Sequence, residues 1–257
     1  GTFTFLMALF FTVFLIPKVN NLGLKYNCID EPDKRKQHKK LIVRLGGLGI
    51  FAGFIFSLFL SILVSFLFHK YFFDIYPLTI IIFGSLLLFL VGISDDFRQK
   101  NPFLKLTLQI FIASLMYSFD LRIDSLDLSF FNIGIDYLLL PNFINYIFTV
   151  LWIVGITNSI NWLDGLDGLA SGISVIISIG LIILFFTYGQ FYLALVLISL
   201  CGATVGFLRF NFYPAKILMG DGGSYLLGGL LSLVSLKGLN SLPYIVNGQS
   251  ENIALPI

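Results

Sequence analysis

Eight continuous apolar runs set the terms on which this chain can fold: Thr2 to Pro17, Leu48 to Phe68, Leu78 to Ile93, Leu104 to Phe119, Phe143 to Ile156, Leu169 to Thr187, Phe191 to Leu208 and Tyr225 to Leu239. Each can cross about 30 Å of hydrocarbon as a helix. In lipid every backbone N–H and C=O needs a partner inside the protein, so only helices and closed barrels span it. Barrels show short alternating segments rather than unbroken runs. With 57% hydrophobic residues and a mean hydropathy of +0.93, the 257 residues carry more apolar side chain than a soluble domain of that length buries. The expected fold class is all-α, a polytopic transmembrane helical bundle of about eight spans.

The loops between the runs alternate between two sides. One side holds Lys18 to Gly47, Ser94 to Phe103, the stretch from Asn158 and Arg209 to Ser224. Of the sixteen Lys and Arg residues, thirteen fall there or at the adjoining helix starts, and only Lys70, Arg122 and Lys237 fall opposite. The positive-inside rule makes the first side cytoplasmic and places Gly1 outside. On the outer side, Asp120 to Asn142 alternates as a small extracytoplasmic hairpin turning near Asn132 to Gly134. Its acids Asp120, Asp124, Asp127 and Asp136 read as a solvated face. A net charge of +2 does not point to nucleic acid, and Cys28 and Cys201 lie too differently to form a disulfide or a metal pair. The first run has no small-residue cleavage pattern, so it reads as a retained span. The expectation is a single integral membrane domain over 1–257, truncated at the C-terminus, with truncation at the N-terminus left open.

All polar clusters fall on the cytoplasmic side: Asp30 to Gly47, Ser94 to Gln109, Asn158 to Gly168 and Arg209 to Ser224. They supply Asp95, Asp96, Asp164, Asp167 and Asp221 among Lys and Arg side chains. Carboxylates alone suggest a cation site. Carboxylates with basic groups and glycine-rich helix starts suggest a phosphate ester bridged through a hard cation, because Mg2+ takes one or two carboxylates and lets phosphates complete its shell.

Within the last cluster, Gly220, Gly222 and Gly223 are expected to let backbone approach a ligand, with Ser224 capping the next span and leaving free amides facing the cytoplasm. Asp221 is then a candidate metal ligand, and a plain turn with a capping Asp is the other reading. Asp164 and Asp167 share a face if their segment is helical; otherwise they mark two Asp-Gly turns. Asp95 and Asp96, being adjacent, cannot both face one site on a regular helix, so the pair is expected to straddle a helix start, where one of them can be a cap only. Lys105 and Gln109 share a face of the next helix, as site groups or as a snorkelling Lys and an interhelical contact. His38 reads as a phosphate contact or as part of a basic loop at lipid headgroups, and His69 reads as structural.

These four clusters, in this order, resemble the polyprenyl-phosphate N-acetylhexosamine-1-phosphate transferase family over nearly the whole chain. The pattern D-x-P-x-x-R-K-x-H ahead of R-x-G-G is met by Asp30, Pro32, Arg35, Lys36, His38, Arg44, Gly46 and Gly47. The D-D pair with K-L-x-x-Q is met by Asp95, Asp96, Lys105, Leu106 and Gln109, and N-x-x-N-x-x-D-G-x-D-G-L-A by Asn158 to Ala170. Asn211, Pro214, Ala215, Lys216, Met219, Gly220, Asp221, Gly223 and Ser224 complete N-x-x-P-A-K-x-x-M-G-D-x-G-S.

The resemblance implies transfer of a sugar-1-phosphate, expected to be N-acetylglucosamine-1-phosphate, from a UDP-sugar to membrane polyprenyl phosphate, releasing UMP. It implies Mg2+ as cofactor, with Mn2+ as the alternative ion, and a multi-pass protein of a bacterial-type inner membrane with its active site on the cytoplasmic face. The metal would be held by Asp221, Asp95 and Asp96, and Asp95 or Asp96 would take a proton from the lipid phosphate or act as a covalent nucleophile. Asn161, Asp164 and Asp167 would hold the sugar nucleotide, Asn211 the base, and Arg35, His38, Lys40 and Arg44 anionic groups, with Lys105 and Asn158 completing the substrate-binding set. A homodimer is a further expected association. Val43 stands where the family has Pro, and the family's histidine-rich loop nearer the C-terminus is not among these residues, so weak or no activity is expected of a chain ending at Ile257. RKQH favours the N-acetylglucosamine branch over the muramoyl-pentapeptide branch. The rival class is an ion-coupled transporter, which predicts acids at mid-membrane and polar lining toward both faces.

Overall fold

Every apolar run is a helix, and most of the helices outrun the run that announces them. The computed structural model describes residues 1–30, 41–68, 75–127, 137–239, 244–246 and 249–251. Among these lie α1 (Thr2–Lys25), α2 (Gly46–Leu67), α3 (Ile75–Phe97), α4 (Pro102–Ser118), α5 (Asn142–Leu163), α6 (Leu169–Thr187), α7 (Phe191–Asn211) and α8 (Gly220–Leu239). An apolar run stops at the first polar residue, but a helix stops where its hydrogen bonds do. α1 thus continues past Pro17, and α3, α5, α7 and α8 gain polar turns at the end expected to be cytoplasmic. Those added turns carry Asp95, Asp96, Asn158, Asn161, Asn211 and Asp221.

All eight expected spans are helices, though not of equal length or apolarity: among the described residues six, α1, α2, α3, α5, α6 and α7, are long and apolar enough to cross a membrane. α4 has 17 residues, about 26 Å at 1.5 Å per residue. Its start is set by Asn101, whose side chain accepts from the Phe103 N–H at 2.9 Å, and by Pro102 in the first turn. α8 has 20 residues but more Gly and Ser, because its solvent is protein rather than lipid: every residue from Gly222 to Leu236 is buried.

α8 is the axis of the bundle, ringed by α3, α5, α2 and α6, while α1 lies on α2 and α7 and α4 leans on α3 and α5. Small residues make the close crossings. A Cβ on Gly47 would strike the backbone of Gly223, one on Gly92 the carbonyl of Asp221, and one on Gly228 would stand 2.6 Å from Thr157 Cα. Without a hydrophobic force between helices in lipid, such backbone-to-backbone packing is a main source of association. Outward faces carry Phe10, Phe14, Phe59, Phe66 and Ile183, all exposed, as lipid-facing positions should be.

Short antiparallel pairs join the helices. β1 (Ile29–Asp30) and β2 (Ile42–Val43) pair Ile29 with Val43 at the foot of the basic loop. The expected outer hairpin is present as β3 (Ser125–Asp127) and β4 (Tyr137–Leu139), with Leu126 opposite Leu138; its turn lies outside the described residues. Asp124 is tied down rather than simply solvated, accepting from Asn145 Nδ2 at 3.1 Å and pairing with Arg122 Nε at 2.9 Å. A third pair, β5 (Tyr244–Val246) and β6 (Gln249–Glu251), follows α8. Cys28 and Cys201 are both buried and free.

Candidate active site

The helices run alternately up and down, so the C-terminal ends of α1, α3, α5 and α7 meet the N-terminal ends of α2, α4, α6 and α8 at one end of the bundle. At that end the carboxylates of Asp95, Asp96 and Asp221 surround Arg44, which stands between β2 and α2. Arg44 Nη2 lies 3.1 Å from Asp96 Oδ1, 3.8 Å from Asp221 Oδ1 and 3.9 Å from Asp95 Oδ2. From α4, Lys105 Nζ reaches Asp95 Oδ2 at 3.1 Å and Asp221 Oδ2 at 2.8 Å, bridging the two. Lys105 and Gln109 share a face as expected: Gln109 Oε1 accepts from Asn158 Nδ2 at 2.6 Å.

Asp95 and Asp96 lie at the end of α3, not at a helix start, and point different ways. Asp95 Oδ1 accepts the Lys100 N–H at 2.7 Å while Oδ2 faces Lys105. Asp96 turns inward with its side chain fully buried. Its Oδ1 accepts from the Asp221 N–H at 2.9 Å and from Arg44 Nε at 3.2 Å, and its Oδ2 from the Gly222 N–H at 2.8 Å.

The expected free amides at the start of α8 are therefore not free. Gly222 and Gly223 serve close helix packing, and Gly220 takes φ +76° where a Cβ would meet the Arg44 carbonyl and both Asp96 oxygens. Ser224 does not cap α8. It lies inside the helix, donating to the Asp221 carbonyl at 3.2 Å and accepting from Asn161 Nδ2 at 2.9 Å. At the start of α2 the Gly46 and Gly47 amides are engaged likewise, by the Leu218 and Met219 carbonyls at 2.9 and 2.8 Å.

Asn158 and Asn161 occupy the last turns of α5, and Asn161 Nδ2 donates to Asp221 Oδ1 at 3.1 Å. Asp164 and Asp167 do not share a helix face, because the chain from Asp164 to Gly168 is a pair of turns between α5 and α6. Asp167 instead grips the α7–α8 loop and Asp164 the first residue of α8. Asp167 Oδ2 accepts the Ala215 N–H at 2.9 Å, and Asp164 accepts from the Gly220 N–H. Asp164 keeps some open surface yet sits deep among protein atoms. Burial, reinforced by the charges of Asp96 and Asp221, pushes its carboxyl well above the usual range. Asn211 is buried, its Oδ1 accepting from the Gly168 N–H and Ser171 Oγ at 3.2 and 3.0 Å and its Nδ2 donating to the Ile217 carbonyl at 3.1 Å. Arg35, His38 and Lys40 lie outside the described residues.

Two neighbours of the site, Tyr225 and Gly92, carry no role in the sequence expectations. Gln109 holds Asn158 and also bonds Tyr225, which is buried one residue beyond Ser224. Gly92 admits the Asp221 carbonyl. A glycine one turn before an Asp pair was the available signal for the last of these.

The fit to a divalent cation rests on the donor set. Three carboxylates, Asp95, Asp96 and Asp221, surround two cationic side chains, Arg44 and Lys105, leaving excess negative charge even with Asp164 left out of the count. Among the described residues no three acidic, His or Cys side chains converge as a complete metal cage. An ion such as Mg2+ does not need one, since it takes one or two carboxylates and fills its shell with water and phosphate. Asp221, whose side chain is 16% exposed, is the best placed donor, with Asp95 beside it.

A multi-pass helical membrane protein with a carboxylate-rich site at one end is the class these observations define. Residues 78–239 match glycosyl transferase family 4, and the chain belongs to that family. It is 35% identical over 242 residues, 91% of this chain and 62% of the relative, to a Bacillus subtilis protein named probable undecaprenyl-phosphate N-acetylglucosaminyl 1-phosphate transferase. It is 34% identical over 249 residues, 92% of this chain and 72% of the relative, to a phospho-N-acetylmuramoyl-pentapeptide-transferase of Streptococcus pneumoniae. The chain thus spans somewhat under two thirds of the first relative's length.

Proposed function

We propose that the protein of which these residues are part transfers N-acetylglucosamine-1-phosphate from a UDP-sugar to membrane polyprenyl phosphate, starting a lipid-linked glycan. The observation that carries this reading is the meeting of Asp95, Asp221, Lys105 and Asn161 at one end of the bundle. A phosphate on a lipid and a soluble nucleotide can meet there. In the reaction an oxygen of the polyprenyl phosphate attacks the β-phosphorus of the UDP-sugar, the bond from that phosphorus to the UMP oxygen breaks, and UMP leaves with the electron pair.

Both reactants are anions, so the barrier is charge repulsion and alignment. Mg2+, or Mn2+ in its place, held through Asp221 and Asp95, would neutralise the diphosphate. Lys105 and Arg44 add fixed positive charge, and Asn161 orients Asp221. Asp95, whose side chain is 5% exposed and turned to Lys105 where that of Asp96 is fully buried, is the better placed of the pair to take the residual proton of the lipid phosphate, a modest task because that group has a second pKa of about 6. Asp164, Asp167 and Asn211 shape the α7–α8 loop that closes the nucleotide side. Arg35, His38 and Lys40 would contact anionic groups, and a homodimer in a bacterial inner membrane with the site facing the cytoplasm completes the reading.

The muramoyl-pentapeptide transferase named among the relatives is the alternative substrate assignment. The test is to incubate full-length protein with labelled UDP-N-acetylglucosamine, polyprenyl phosphate and Mg2+, with Asp221→Asn alongside. Labelled lipid is expected from the native protein, and at least about a hundredfold less from the variant. No labelled lipid from any UDP-sugar, or an Asp221→Asn rate equal to the native one, would remove the proposal.

A further inference from the structure

The two adjacent aspartates at the end of α3 do different work. We propose that Asp96 is a positioning residue: its carboxylate caps the N-terminus of α8 from a neighbouring helix and so fixes where Asp221 stands, without itself touching substrate or cation.

A helix begins with N–H groups that have no intrahelical partner, and α8 begins inside protein, where water cannot serve them. Its own sequence offers no cap. Ile217 and Met219 ahead of it are apolar and buried, Gly220 has no side chain, and Ser224 lies too far into the helix. Asp164 serves the first amide, that of Gly220, and the acceptor for the next two comes from α3. Asp96 receives the Asp221 and Gly222 amides at 2.9 and 2.8 Å, and a negative group at a helix N-terminus also suits the macrodipole.

The rest of Asp96 is turned to protein as well. Oδ1 takes the Asp221 amide together with Arg44 Nε and Nη2 at 3.2 and 3.1 Å, and Oδ2 takes the Gly222 amide. A carboxylate has about four lone-pair sites, and because the side chain is fully buried, the capacity left on Oδ2 is closed to solvent.

Nor is there room for a ligand. A Cβ on Gly222 would stand 3.2 Å from Asp96 Oδ2 and 3.2 Å from Ile93 Cα, and one on Gly92 would strike the Asp221 carbonyl. α3 and α8 therefore touch through backbone at Gly92 and Ile93, one turn before Asp96. Adjacent residues on a helix point about 100° apart, which is why Asp95 faces Lys105 while Asp96 faces the amides. The same clamp that holds the Asp221 N–H inward directs its carboxylate outward to Lys105 and Asn161. Asp96 acts on the reaction only through that aim.

The experiment uses full-length protein in detergent. Amide hydrogen exchange over Gly220 to Ser224 is measured without substrate or divalent ion in the native protein, Asp96→Asn and Asp95→Asn. Asp96→Asn is expected to speed exchange there about fivefold, the size of an ordinary cap loss, and Asp95→Asn to leave it unchanged. In the transfer assay Asp96→Asn is expected to lower kcat at least about tenfold, as misplacement of a reacting group does, with the acidic limb of the pH–rate profile moved by less than about 0.3 unit. Gly222→Ala removes no carboxylate but wedges the cap, and is expected to reproduce both effects. Native exchange rates in Asp96→Asn, a displaced acidic limb, or full activity with native exchange in Gly222→Ala would each overturn the proposal. Its kinetic arm rests on the transferase reading and the exchange arm does not, so absence of transfer would sink that reading and leave the cap standing on exchange alone.

Discussion

Arg44 and Lys105 bring two positive charges to a site with four carboxyl groups, Asp95, Asp96, Asp164 and Asp221, and neither cation forms an ion pair with Asp164, which accepts a backbone N–H. An Asp whose folded pKa is raised binds its proton more tightly in the folded chain than in the unfolded one. It therefore subtracts stability as pH climbs from its unfolded pKa, about 3.9, toward the raised folded value, and the whole penalty stands above that. Asp164→Asn keeps an acceptor for the Gly220 amide and removes the charge. Its unfolding midpoint, read by fluorescence in divalent-free buffer, is expected to exceed the native one near pH ~8 and to match it near pH ~4, while transfer activity is lost. A midpoint below native at the higher pH would show that Asp164 is stabilising as an anion. At this scale the sequence motifs announced the charged and amide residues but not their aim. A carboxylate beside a helix end has the same spelling whether its oxygens face a substrate or, like those of Asp96, the amides of another helix. Asn211 carries the same lesson, since all of its described bonds go to the protein's own α6 and α7–α8 loop.

Helices in this bundle meet by backbone where glycine allows it, and the location of those glycines separates structural from idle positions. Gly47 on α2 faces the Gly223 backbone of α8 with no room for a methyl group, whereas Gly155 on α5 and Gly180 on α6 would extend a Cβ into open space. Forcing a carbon into a packed contact costs about 1–3 kcal/mol. At an open helical position Ala instead gains about 1 kcal/mol of helix propensity over Gly. Gly47→Ala is thus expected to lower the unfolding midpoint in detergent and reduce transfer, with Gly155→Ala and Gly180→Ala at or above native. Equal midpoints for all three would mean that α2 and α8 can separate without loss. The number and order of the helices were legible because lipid demands long apolar runs. Their ends were not, because the extra turns of α3, α5, α7 and α8 are held by protein contacts such as Asp96 to Gly222 and Asn161 to Ser224, which apolar patterning does not record. The Gly and Ser residues of α8 reflect its enclosure by four helices.

Across the whole molecule, charge and chemistry lie at the same end. The loops that hold most of the Lys and Arg residues are those from which Arg44, Asp95, Asp164 and Asp221 converge, so the positive-inside rule and the site geometry make one joint statement about orientation. The opposite end carries the Arg122 and Asp124 pair, which anchors the hairpin to Asn145 on α5. An alternating-access carrier would place its binding acids at mid-depth between broken helices; here Asp95 and Asp96 lie in the last turn of α3 and Asp221 in the first turn of α8. Orientation can be read with cysteine labels, since the native Cys28 and Cys201 are only 4% and 5% exposed and should stay silent. Gln99→Cys places an exposed thiol beside the site, and Asn142→Cys places one at the far end, on the first residue of α5. In sealed right-side-out vesicles an impermeant maleimide is expected to label Asn142→Cys alone, and in inverted vesicles Gln99→Cys alone. The opposite pattern would put the carboxylate cluster outside the cell, where a nucleotide-sugar donor made in the cytoplasm could not reach it, and the proposed reaction would fall with the orientation.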